Sequence, residues 1–231
     1  EKEFLNDWAL RFSGNKSARA NSCLLDGRPE DDIDKTFQKI IEWYRKRNAV
    51  AIIQSPKPGA FDQSLLRNNF KEIDVAYYMI GPPEKNNVSG VILESNLSDK
   101  WFKAIIGRDE EVSSRISKEL LTSGSFVRFA SIENEVGEII ATGRIAASDK
   151  QAMVTTVWVL EKYRNQGLAK KIMKSLSNSV AEIGHEKIVL QVLKSNLVAV
   201  KMYETLGYKV HHEYAYYRYF KNLETTNECV C

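Results

Sequence analysis

A basic residue followed by small ones stands where a strand pattern gives way to a helix pattern, and such a turn can bind an anion. The segment is Arg164-Asn165-Gln166-Gly167-Leu168-Ala169. The first turn of a helix has backbone N–H groups without intrahelical partners, and its dipole favours negative charge. Gly167 and Ala169 let a phosphate group approach the backbone closely, while Arg164 and Lys170 add positive charge. The spacing predicts a phosphate-binding turn, although many helices that begin in this way bind nothing.

The elements on either side must position this turn. Residues 153–160 are β-branched and apolar without Gly or Pro, which predicts a strand that is at least half buried. Beyond the turn, apolar residues recur every three or four positions, which predicts an amphipathic helix. These residues are Leu168, Ile172, Leu176, Val180 and Ile183. The sequence therefore predicts strand, turn and helix in immediate succession.

Two motifs in this half of the chain resemble those of one family. Arg164-x-x-Gly167-x-Ala169 after a strand resembles the acyl-CoA motif R/Q-x-x-G-x-G/A of the GNAT superfamily of N-acetyltransferases. Asn196-x-x-Ala199-x-x-x-Tyr203-x-x-Leu206-Gly207-Tyr208 resembles its second signature, and a strand predicted at 187–193 lies between the two. Over about residues 124–220 the resemblance implies the GNAT fold, an α+β architecture with a mixed α/β sheet. Its order is three antiparallel strands, the coenzyme helix, a parallel strand, a helix and a last hairpin strand.

The resemblance also implies where acetyl-CoA would bind as cosubstrate. The amides of the turn would hold the CoA pyrophosphate, and exposed backbone groups of Val157 and Val159 would pair with the pantetheine arm. One of these amides would also hydrogen-bond the thioester oxygen, and Asn196 would bond the pantetheine amide groups. The residues predicted to bind acetyl-CoA are Val157, Trp158, Val159, Arg164, Asn165, Gln166, Gly167, Leu168, Ala169, Lys170, Asn196, Ala199 and Tyr203.

Tyr203 is the predicted catalytic residue. It stands where the superfamily commonly places a general acid for the leaving thiolate, and a phenol with a pKa of about 10 can donate that proton. The alternative is that Tyr203 is a core aromatic on the helix face that contains Ala199 and Leu206. Replacement of Tyr203 by Phe distinguishes the two roles.

No general base is predicted. Many relatives have a Glu on the strand before the acyl-CoA motif, but residues 153–158 read MVTTVW and contain no carboxylate. A substrate amine that is already partly neutral would need no base, and a water relay could reach other groups. Those groups are Glu133, Glu138, His211, His212 and Glu213. Because strand side chains alternate between faces, at most one of His211 and His212 is expected to face the site.

The acceptor is predicted only as an amine. The last predicted strand, 209–220, would place several aromatic and basic side chains on one face, where they either line an acceptor pocket or simply cover the sheet. They are Tyr214, Tyr216, Arg218 and Phe220. Small amines, amino acids, antibiotics and protein N-termini all remain open as acceptors.

Composition narrows the class of protein. The 231 residues contain 33 Lys plus Arg and 30 Asp plus Glu, so charge gives no reason to expect a nucleic acid or an anionic membrane as a partner. No uncharged apolar run approaches the roughly 18–20 residues that span a bilayer, and the first residues lack a signal-peptide core. We therefore expect a cytoplasmic protein with free thiols. Three cysteines do not form a disulfide framework, and Cys229 and Cys231 are not expected to bind a metal.

Three segments are predicted along the chain: 1–122, a partial GNAT-like domain; 123–222, the catalytic domain; and 223–231, a flexible tail. Trp8-x-x-Arg11 followed by Arg19-Ala20-Asn21-Ser22 is similar to the N-terminal part of a GNAT subgroup in which a partial copy of the fold precedes the catalytic one. The alternative is that Asn21 and Ser22 only close a turn. We expect the N-terminal part to shape the acceptor site.

Local patterns predict the remaining elements. The predicted strands are 8–12, 49–54 (stopped by Pro56 and Pro58), 73–80, 88–94, 126–133 and 138–147, with a turn at 134–137. The predicted helices are 31–48, 61–70, 97–105 and 110–121, and Asp149 and Lys150 make a tight connection.

The sequence as a whole predicts an acetyl-CoA-dependent N-acetyltransferase that transfers acetyl to a primary amine by direct attack. One alternative is a catalytically inactive module that binds CoA or acyl-CoA and serves regulation, which the missing carboxylate makes credible. A second is an interaction domain whose motifs are coincidental. The oligomeric state is not indicated.

Overall fold

The computed structural model describes residues 1–14, 18–25, 27, 32–107, 116–148 and 151–221. The chain forms two compact units, the first from Glu1–Val75 with Glu213–Cys231 and the second from Ala76–His212. The second unit is therefore inserted, in sequence, into the first. The partial GNAT-like domain at 1–122 stays a prediction, because these units divide the chain at other positions. The predicted tail, with Cys229 and Cys231, and the connection at Asp149 and Lys150 lie outside the described residues.

The described residues of the first unit form a sheet and two α-helices. The strand order is β1-β2-β3-β4-β11, with β3 and β4 parallel and the other pairs antiparallel. Its elements are β1 (Lys2–Leu5), β2 (Trp8–Arg11), a 3-10 turn (Ala18–Ala20), β3 (Cys23–Leu24), α1 (Ile33–Arg45), β4 (Ile52–Lys57), α2 (Asp62–Arg67), the start of β5 (Phe70–Gly81) and β11 (Lys209–Tyr219) from Glu213 onward.

Helix α1 forms where its apolar stripe and charges predict. It begins after Asp32, whose side chain accepts a hydrogen bond from the backbone N–H of Asp34 and so satisfies one of the unpaired donors of the first turn. Phe37, Ile40 and Tyr44 are fully buried in one cluster with residues of β2 and β4. Their burial holds the helix on the sheet of this unit.

The N-terminal motif makes structural hydrogen bonds. Arg11 donates from Nε to the Ser22 carbonyl (3.1 Å) and from Nη2 to Ser22 Oγ (2.9 Å) and Gln54 Oε1 (3.0 Å). Asn21 Oδ1 accepts from the Ser13 backbone N–H at 2.7 Å, and Asn21 Nδ2 donates to Ser13 Oγ. Asn21 and Ser22 therefore close the turn between β2 and β3 and attach it to β2. This agrees with the alternative that the two residues have a structural role.

The second unit has its own run of six strands, in the order β5-β10-β9-β8-β7-β6. Only β9 and β10 are parallel, and the other pairs are antiparallel. The elements are β5 from Ala76, β6 (Ile92–Glu94), α3 (Asp99–Ile106), α4 (Lys118–Thr122), β7 (Phe126–Glu133), β8 (Ile139–Ala147), β9 (Ala152–Val159), a 3-10 turn (Glu161–Tyr163), α5 (Leu168–Glu182), β10 (Ile188–Leu193), α6 (Leu197–Thr205) and the first residues of β11. The predicted α+β mixed sheet is confirmed.

Helices cover both faces of this second sheet. Buried residues of α5 and α6, such as Leu176 and Val200, share one core cluster with β8, β9 and β10. A smaller cluster joins Trp101 of α3 and Leu121 of α4 to β7 and β8. Arg144 of β8 donates to the Leu121 and Ser123 carbonyls at 2.5 and 2.7 Å, which ties the end of α4 to the sheet.

The neighbour of β10 differs from the expected last hairpin strand. Residues Ala76–Gly81 of β5 pair with β10, so β10 lies between β9 and β5. This pairing joins residues more than 100 positions apart in the sequence, from Ile188 with Gly81 to Leu193 with Ala76. The last strand does follow α6 as expected, at Lys209–Tyr219, but local patterns do not tell which strand pairs with which, so the neighbour of β10 was not predicted.

Other boundaries also differ from the prediction. Strand β4 continues through Pro56 to Lys57. Its neighbour β3 pairs only with Ile53 and Gln54, so at Pro56 the strand is paired on one side only. The N–H that proline lacks is not needed on the unpaired side, and the proline is therefore tolerated. Strand β6 begins only at Ile92, and the segment before it is attached to α5, since the backbone N–H groups of Glu84 and Asn86 donate to Ser177 and Asn178. The helix predicted at 110–121 is described only as α4, because 110–115 lie outside the described residues.

Candidate functional site

The parallel strands β9 and β10 separate soon after they begin. Their pairs are Ala152 with Ile188 and Met153 with Val189, and no later residue of either strand is paired with the other. Both strands are described throughout and continue to Val159 and Leu193. From Val154 onward, one edge of β9 and the facing edge of β10 therefore border an opening that an extended ligand can enter.

A β-bulge lies in β9 beside this opening. Thr142 pairs with Trp158 and Arg144 with Thr155, so Thr156 and Val157 together oppose Gly143. Thr156 has a φ of +53°, a region that β-branched residues rarely adopt. Its carbonyl accepts a hydrogen bond from Thr142 Oγ1 at 3.2 Å. A strained residue held at this position is the kind of feature that accompanies functional sites.

The predicted phosphate-binding turn follows β9 and ends at helix α5. Gly167 is the N-cap residue with a φ of +74°, and nothing lies within 4 Å of the position that a Cβ would occupy. The helix begins at Leu168, so the first backbone N–H groups of α5 have no intrahelical acceptor. Asn165 also has a positive φ, +63°, which turns the chain back toward the helix. The local geometry is that of an anion site at a helix N-terminus.

The strand residues predicted to contact CoA divide between two faces. Val157 and Val159 pack against the core cluster that includes α5, whereas Trp158 lies between them and is paired with Thr142, which places it on the opposite face. The Val159 carbonyl accepts a hydrogen bond from Arg164 Nε at 3.3 Å. A carbonyl oxygen has two lone pairs, so Val159 can still accept a bond from a ligand.

Asn196 and Ala199 begin helix α6. Asn196 is the N-cap residue, and its Oδ1 accepts a hydrogen bond from the Ala199 backbone N–H at 3.1 Å. Sequence reasoning gave Asn196 a ligand-binding role and missed this structural one. The amide nitrogen of the same side chain is a donor and can serve a ligand carbonyl.

Tyr203 lies in the core cluster between α5 and α6. Its side chain is 8% exposed, and its ring meets that of Tyr208 edge-on, with centroids 5.9 Å apart. Burial raises the pKa of Tyr203 to about 12, so it remains protonated at physiological pH. The ring is thus a core aromatic, as the alternative proposed, and its protonated hydroxyl also meets the requirement for an acid.

This unit combines an opening between parallel strands, a bulge in one of them and a helix that begins at a glycine with positive φ. Residues 95–208 match the model of the acetyltransferase (GNAT) family. This part of the chain belongs to the acetyltransferase (GNAT) family. Members of this family transfer an acyl group from an acyl-CoA to an acceptor. The chain is 22% identical over 229 residues to the uncharacterized N-acetyltransferase YobR of Bacillus subtilis (strain 168), covering 92% of this chain and 90% of that protein.

Solved GNAT structures share the fold at low sequence identity. A GCN5-related N-acetyltransferase from Kribbella flavida has a TM-score of 0.71 at 16% identity, covering 96% of this chain and 90% of that chain. A tandem GNAT protein from the clavulanic acid biosynthesis pathway has a TM-score of 0.64 at 12% identity, covering 85% of this chain and 74% of that chain. The expected GNAT fold is confirmed.

The three glutamates that are candidates for a general base occupy three different environments. Glu133 forms an ion pair with Lys100 at 2.5 Å, and Glu138 accepts from Asn134 Nδ2 at 3.0 Å, in the hairpin between β7 and β8. Glu213 belongs to the first unit. A base role for any of them stays a prediction.

The two histidines do not separate as strand alternation predicts. His211 Nδ1 and His212 Nδ1 are 2.8 Å apart, and both rings contact Tyr78, which stacks on His212 with centroids 5.0 Å apart. The expectation that they lie on opposite faces is wrong, because the hydrogen bond draws the two exposed rings together. Burial, and secondly the neighbouring His211, lower the pKa of His212, which favours its neutral form.

The aromatic residues of β11 are largely buried. Tyr214 and Tyr216 are 2% and 7% exposed, and their rings meet edge-on at 5.4 Å, so they lie on one face as predicted. Tyr217 projects into the core cluster of the first unit and donates to Asp62 at 2.9 Å. Their burial favours the interpretation that these rings cover the sheet.

Sequence reasoning missed two polar residues on the strands that border the opening. Thr156 Oγ1 and Gln191 Oε1 are buried, and neither has a hydrogen-bond partner among the described residues. A threonine and a glutamine inside apolar strands give no motif, although a polar residue within IVLQVL is a visible break in the pattern. Among the described residues, no group of His, Cys, Asp and Glu could hold a metal ion, and no helix is long and apolar enough to cross a membrane.

Proposed function

We propose that the protein is an acetyl-CoA-dependent N-acetyltransferase that acts on a primary amine. The observation that carries this proposal is the opening between β9 and β10, which begins beyond Met153 and Val189 on the strand that leads to the N-terminus of α5. A phosphate-binding helix start that follows one bordering strand suits a ligand with a pyrophosphate at one end and an extended amide-containing arm at the other. Acetyl-CoA is such a ligand.

The described residues offer acetyl-CoA the contacts that it needs. The first N–H groups of α5, together with Gly167, Leu168, Ala169 and Lys170, would hold the pyrophosphate, and Arg164 would add positive charge. The open edge at Val157 and Val159 would pair with the pantetheine amides as a further strand does. The amide nitrogen of Asn196 would donate to a pantetheine carbonyl. Asn165, Gln166, Trp158 and Ala199 would line this path.

The reaction would proceed by direct attack. The lone pair of a neutral amine forms a bond to the thioester carbonyl carbon, and the carbon–sulfur bond then breaks. The nitrogen loses one proton and the departing thiolate gains one, so that an amide and free CoA are produced. Tyr203 would donate a hydrogen bond or a proton to the sulfur. Its raised pKa of about 12 keeps that proton available over the whole physiological range.

The test is calorimetric titration of acetyl-CoA into the wild-type protein and into Gly167→Asp. The site has a positive φ and open space around the position of a Cβ, so Asp, which tolerates left-handed backbone, can be accommodated without a clash. We expect the new carboxylate to repel the pyrophosphate and to weaken binding by more than about tenfold.

Two matched controls isolate the effect of charge at this place. Gly167→Asn has the same shape without the charge and should bind nearly as the wild type does. Gly184→Asp adds the same charge after the other end of α5, again at a positive φ with open space, and should have little effect. Equal binding by wild type and Gly167→Asp, or no binding by either, would show that this is not the cosubstrate site. Binding without CoA release on any amine would instead indicate a regulatory CoA-binding module.

A further inference from the structure

The turn at 164–167, which is proposed to bind the pyrophosphate, is not held by its own hydrogen bonds. All four residues are exposed, and two of them, Asn165 and Gly167, have positive φ angles of +63° and +74°. Among the residues that the structure describes, Asn165 and Gln166 make no hydrogen bond. Positive φ is costly for a residue other than glycine. The conformation of the turn therefore depends on the segments at its two ends, which are the 3-10 turn before it and helix α5 after it.

The 3-10 turn before it is attached to the sheet of the second unit. The Leu160 N–H donates to the Ile140 carbonyl of β8 at 2.8 Å, and the Tyr163 N–H donates to the Leu160 carbonyl at 2.8 Å. The Arg164 N–H then donates to the Glu161 carbonyl at 3.1 Å. The ring of Tyr163 is partly buried against the core cluster that contains α5. Tyr163 is thus the last anchored residue before the exposed turn begins.

Two side-chain contacts join this 3-10 turn to the hairpin between β7 and β8. Asn134 Nδ2 donates to the Tyr163 hydroxyl at 3.2 Å. Lys162 Nζ lies 3.7 Å from Glu138 Oε2, but both of these side chains are at least half exposed, so this ion pair contributes little. The contact between Asn134 and Tyr163 is therefore the one that can fix the position of the turn.

The hairpin presents the Asn134 amide in a fixed orientation. The backbone N–H of Asn134 donates to the Glu138 carbonyl at 2.9 Å, and its Oδ1 accepts from the Glu138 N–H at 2.8 Å. Its Nδ2 also donates to Glu138 Oε2 at 3.0 Å, so the two hydrogens of this nitrogen serve Glu138 and Tyr163. The preceding Glu133 forms an ion pair with Lys100 of α3. An amide with every hydrogen-bonding group in use is a rigid support.

We propose that Asn134 and Tyr163 are positioning residues for the cosubstrate, through which the hairpin between β7 and β8 holds the turn at 164–167 in its phosphate-binding conformation. This inference rests on the proposed function and adds two residues that lie outside both motifs. Neither residue touches acetyl-CoA in this role. They raise the fraction of molecules in which the turn is already formed, and the apparent Kd rises by the factor by which that fraction falls.

The test is a double-mutant cycle on the affinity for acetyl-CoA, measured by calorimetric titration. The proteins are wild type, Tyr163→Phe, Asn134→Ala and the double variant. Tyr163→Phe keeps the ring in the core and removes only the hydroxyl. Tyr78→Phe is the matched control, because its hydroxyl also bonds a side-chain amide in the second unit, Gln151 Oε1 at 3.4 Å, but is not joined to the turn.

We expect Tyr163→Phe to raise the Kd of acetyl-CoA by about two- to tenfold, the range for one net hydrogen bond. Asn134→Ala should raise it by at least as much, because the hairpin also loses its own bonds. The double variant should bind no more weakly than Asn134→Ala alone, because the bond is already absent. Tyr78→Phe should bind as wild type does. A contact that only stabilised the fold would lower the melting temperature without changing the affinity of the folded protein.

A second ligand locates the effect within the cosubstrate. Adenosine 3′-phosphate 5′-diphosphate is the half of CoA that carries the pyrophosphate, and its affinity is measured by competition with acetyl-CoA. Tyr163→Phe should weaken its binding by the same factor as that of acetyl-CoA, since the turn would hold this half.

Several results would overturn the inference. They are a wild-type Kd for acetyl-CoA in Tyr163→Phe, a double variant in which the two losses multiply, and a nucleotide half that wild type does not bind or that Tyr163→Phe binds as well as wild type does. In each case wild type still binds acetyl-CoA, so the positioning role fails while the cosubstrate is retained. If wild type does not bind acetyl-CoA, the proposed function fails and this inference fails with it.

Discussion

Replacement of Tyr203 by Phe tests whether this buried phenol takes part in acetyl transfer. The change removes one oxygen and leaves the ring, which packs edge-on against Tyr208 in the core of the second unit. Any loss of rate can then be attributed to the hydroxyl group rather than to lost packing.

The size of the effect follows from the raised pKa. Complete proton transfer from a group with a pKa of about 12 to a thiolate whose thiol has a pKa of about 8.5 is uphill by about 5 kcal/mol. A hydrogen bond from the phenol to the departing, charged sulfur stabilises it by about 1.5–3 kcal/mol. We therefore expect hydrogen bonding rather than full transfer to dominate, and kcat to fall by about ten- to 150-fold.

The assay measures initial rates of CoA release from acetyl-CoA with a primary amine, so that kcat and KM are obtained separately. Acetyl-CoA affinity by calorimetry should stay within about twofold of wild type, since a hydrogen bond that forms only to the thiolate contributes nothing to ground-state binding. The loss should therefore appear in kcat, with little change in KM for acetyl-CoA.

Tyr208→Phe is the matched control. Tyr208 is also buried, at 5% exposed, and its hydroxyl has no hydrogen-bond partner within the described residues. Its loss should leave kcat unchanged and should not lower the melting temperature. The reasoning is refuted if Tyr203→Phe keeps the wild-type kcat, or if Tyr208→Phe loses as much, since the effect would then belong to the core and not to Tyr203.

Two further predictions concern stability. In Gly143→Ala the new Cβ would overlap Ile172 Cγ2 and lie 3.1 Å from Leu176 Cδ1. We therefore expect the free energy of unfolding to fall by about 1–3 kcal/mol. A urea midpoint equal to that of wild type would contradict this close packing of α5 on β8. Burial raises the pKa values of Cys23 and Tyr203 to about 12, above the values of the same groups in the unfolded chain. The neutral forms of the two groups therefore contribute to the stability of the folded state. This contribution is complete below about pH 9 and is lost as the pH rises toward 12. The urea midpoint should therefore decrease as the pH is raised from neutral to about pH 11, while tyrosinate absorbance appears. A midpoint that stays constant over this range would contradict the raised pKa values.

The sequence predicted the elements around the acyl-CoA turn because the information there is local. A run of β-branched residues gave β9, a 3.6-residue apolar period gave α5, and Gly167 marked the start of the helix, where the structure gives it a φ of +74°. Asp32 and the apolar stripe of α1 predicted that helix in the same way. Each of these signals acts within a few residues.

What the sequence did not predict depends on residues that are far apart. The pairing of β5 with β10 joins segments that no local pattern links, so the neighbour of β10 was not predicted. The bulge at Thr156 arises because two residues of β9 oppose Gly143 of β8, and neither strand shows this alone. The unsatisfied oxygens of Thr156 and Gln191 likewise become visible only when every neighbour has been placed. The strand order, the bulge and the unsatisfied oxygens thus depend on long-range strand pairing, which short sequence motifs do not encode.

The insertion of the second unit into the first has a consequence for synthesis on the ribosome. Residues 76–212 form one uninterrupted stretch, so the contacts within the second unit can form as soon as that stretch has emerged. The first unit needs β11, whose residues from Glu213 pair with β4 about 160 positions earlier in the chain. Until β11 is made, β4 lacks one neighbour and presents an open strand edge. The first unit, although it begins first, is thus completed only by the last strand of the described chain.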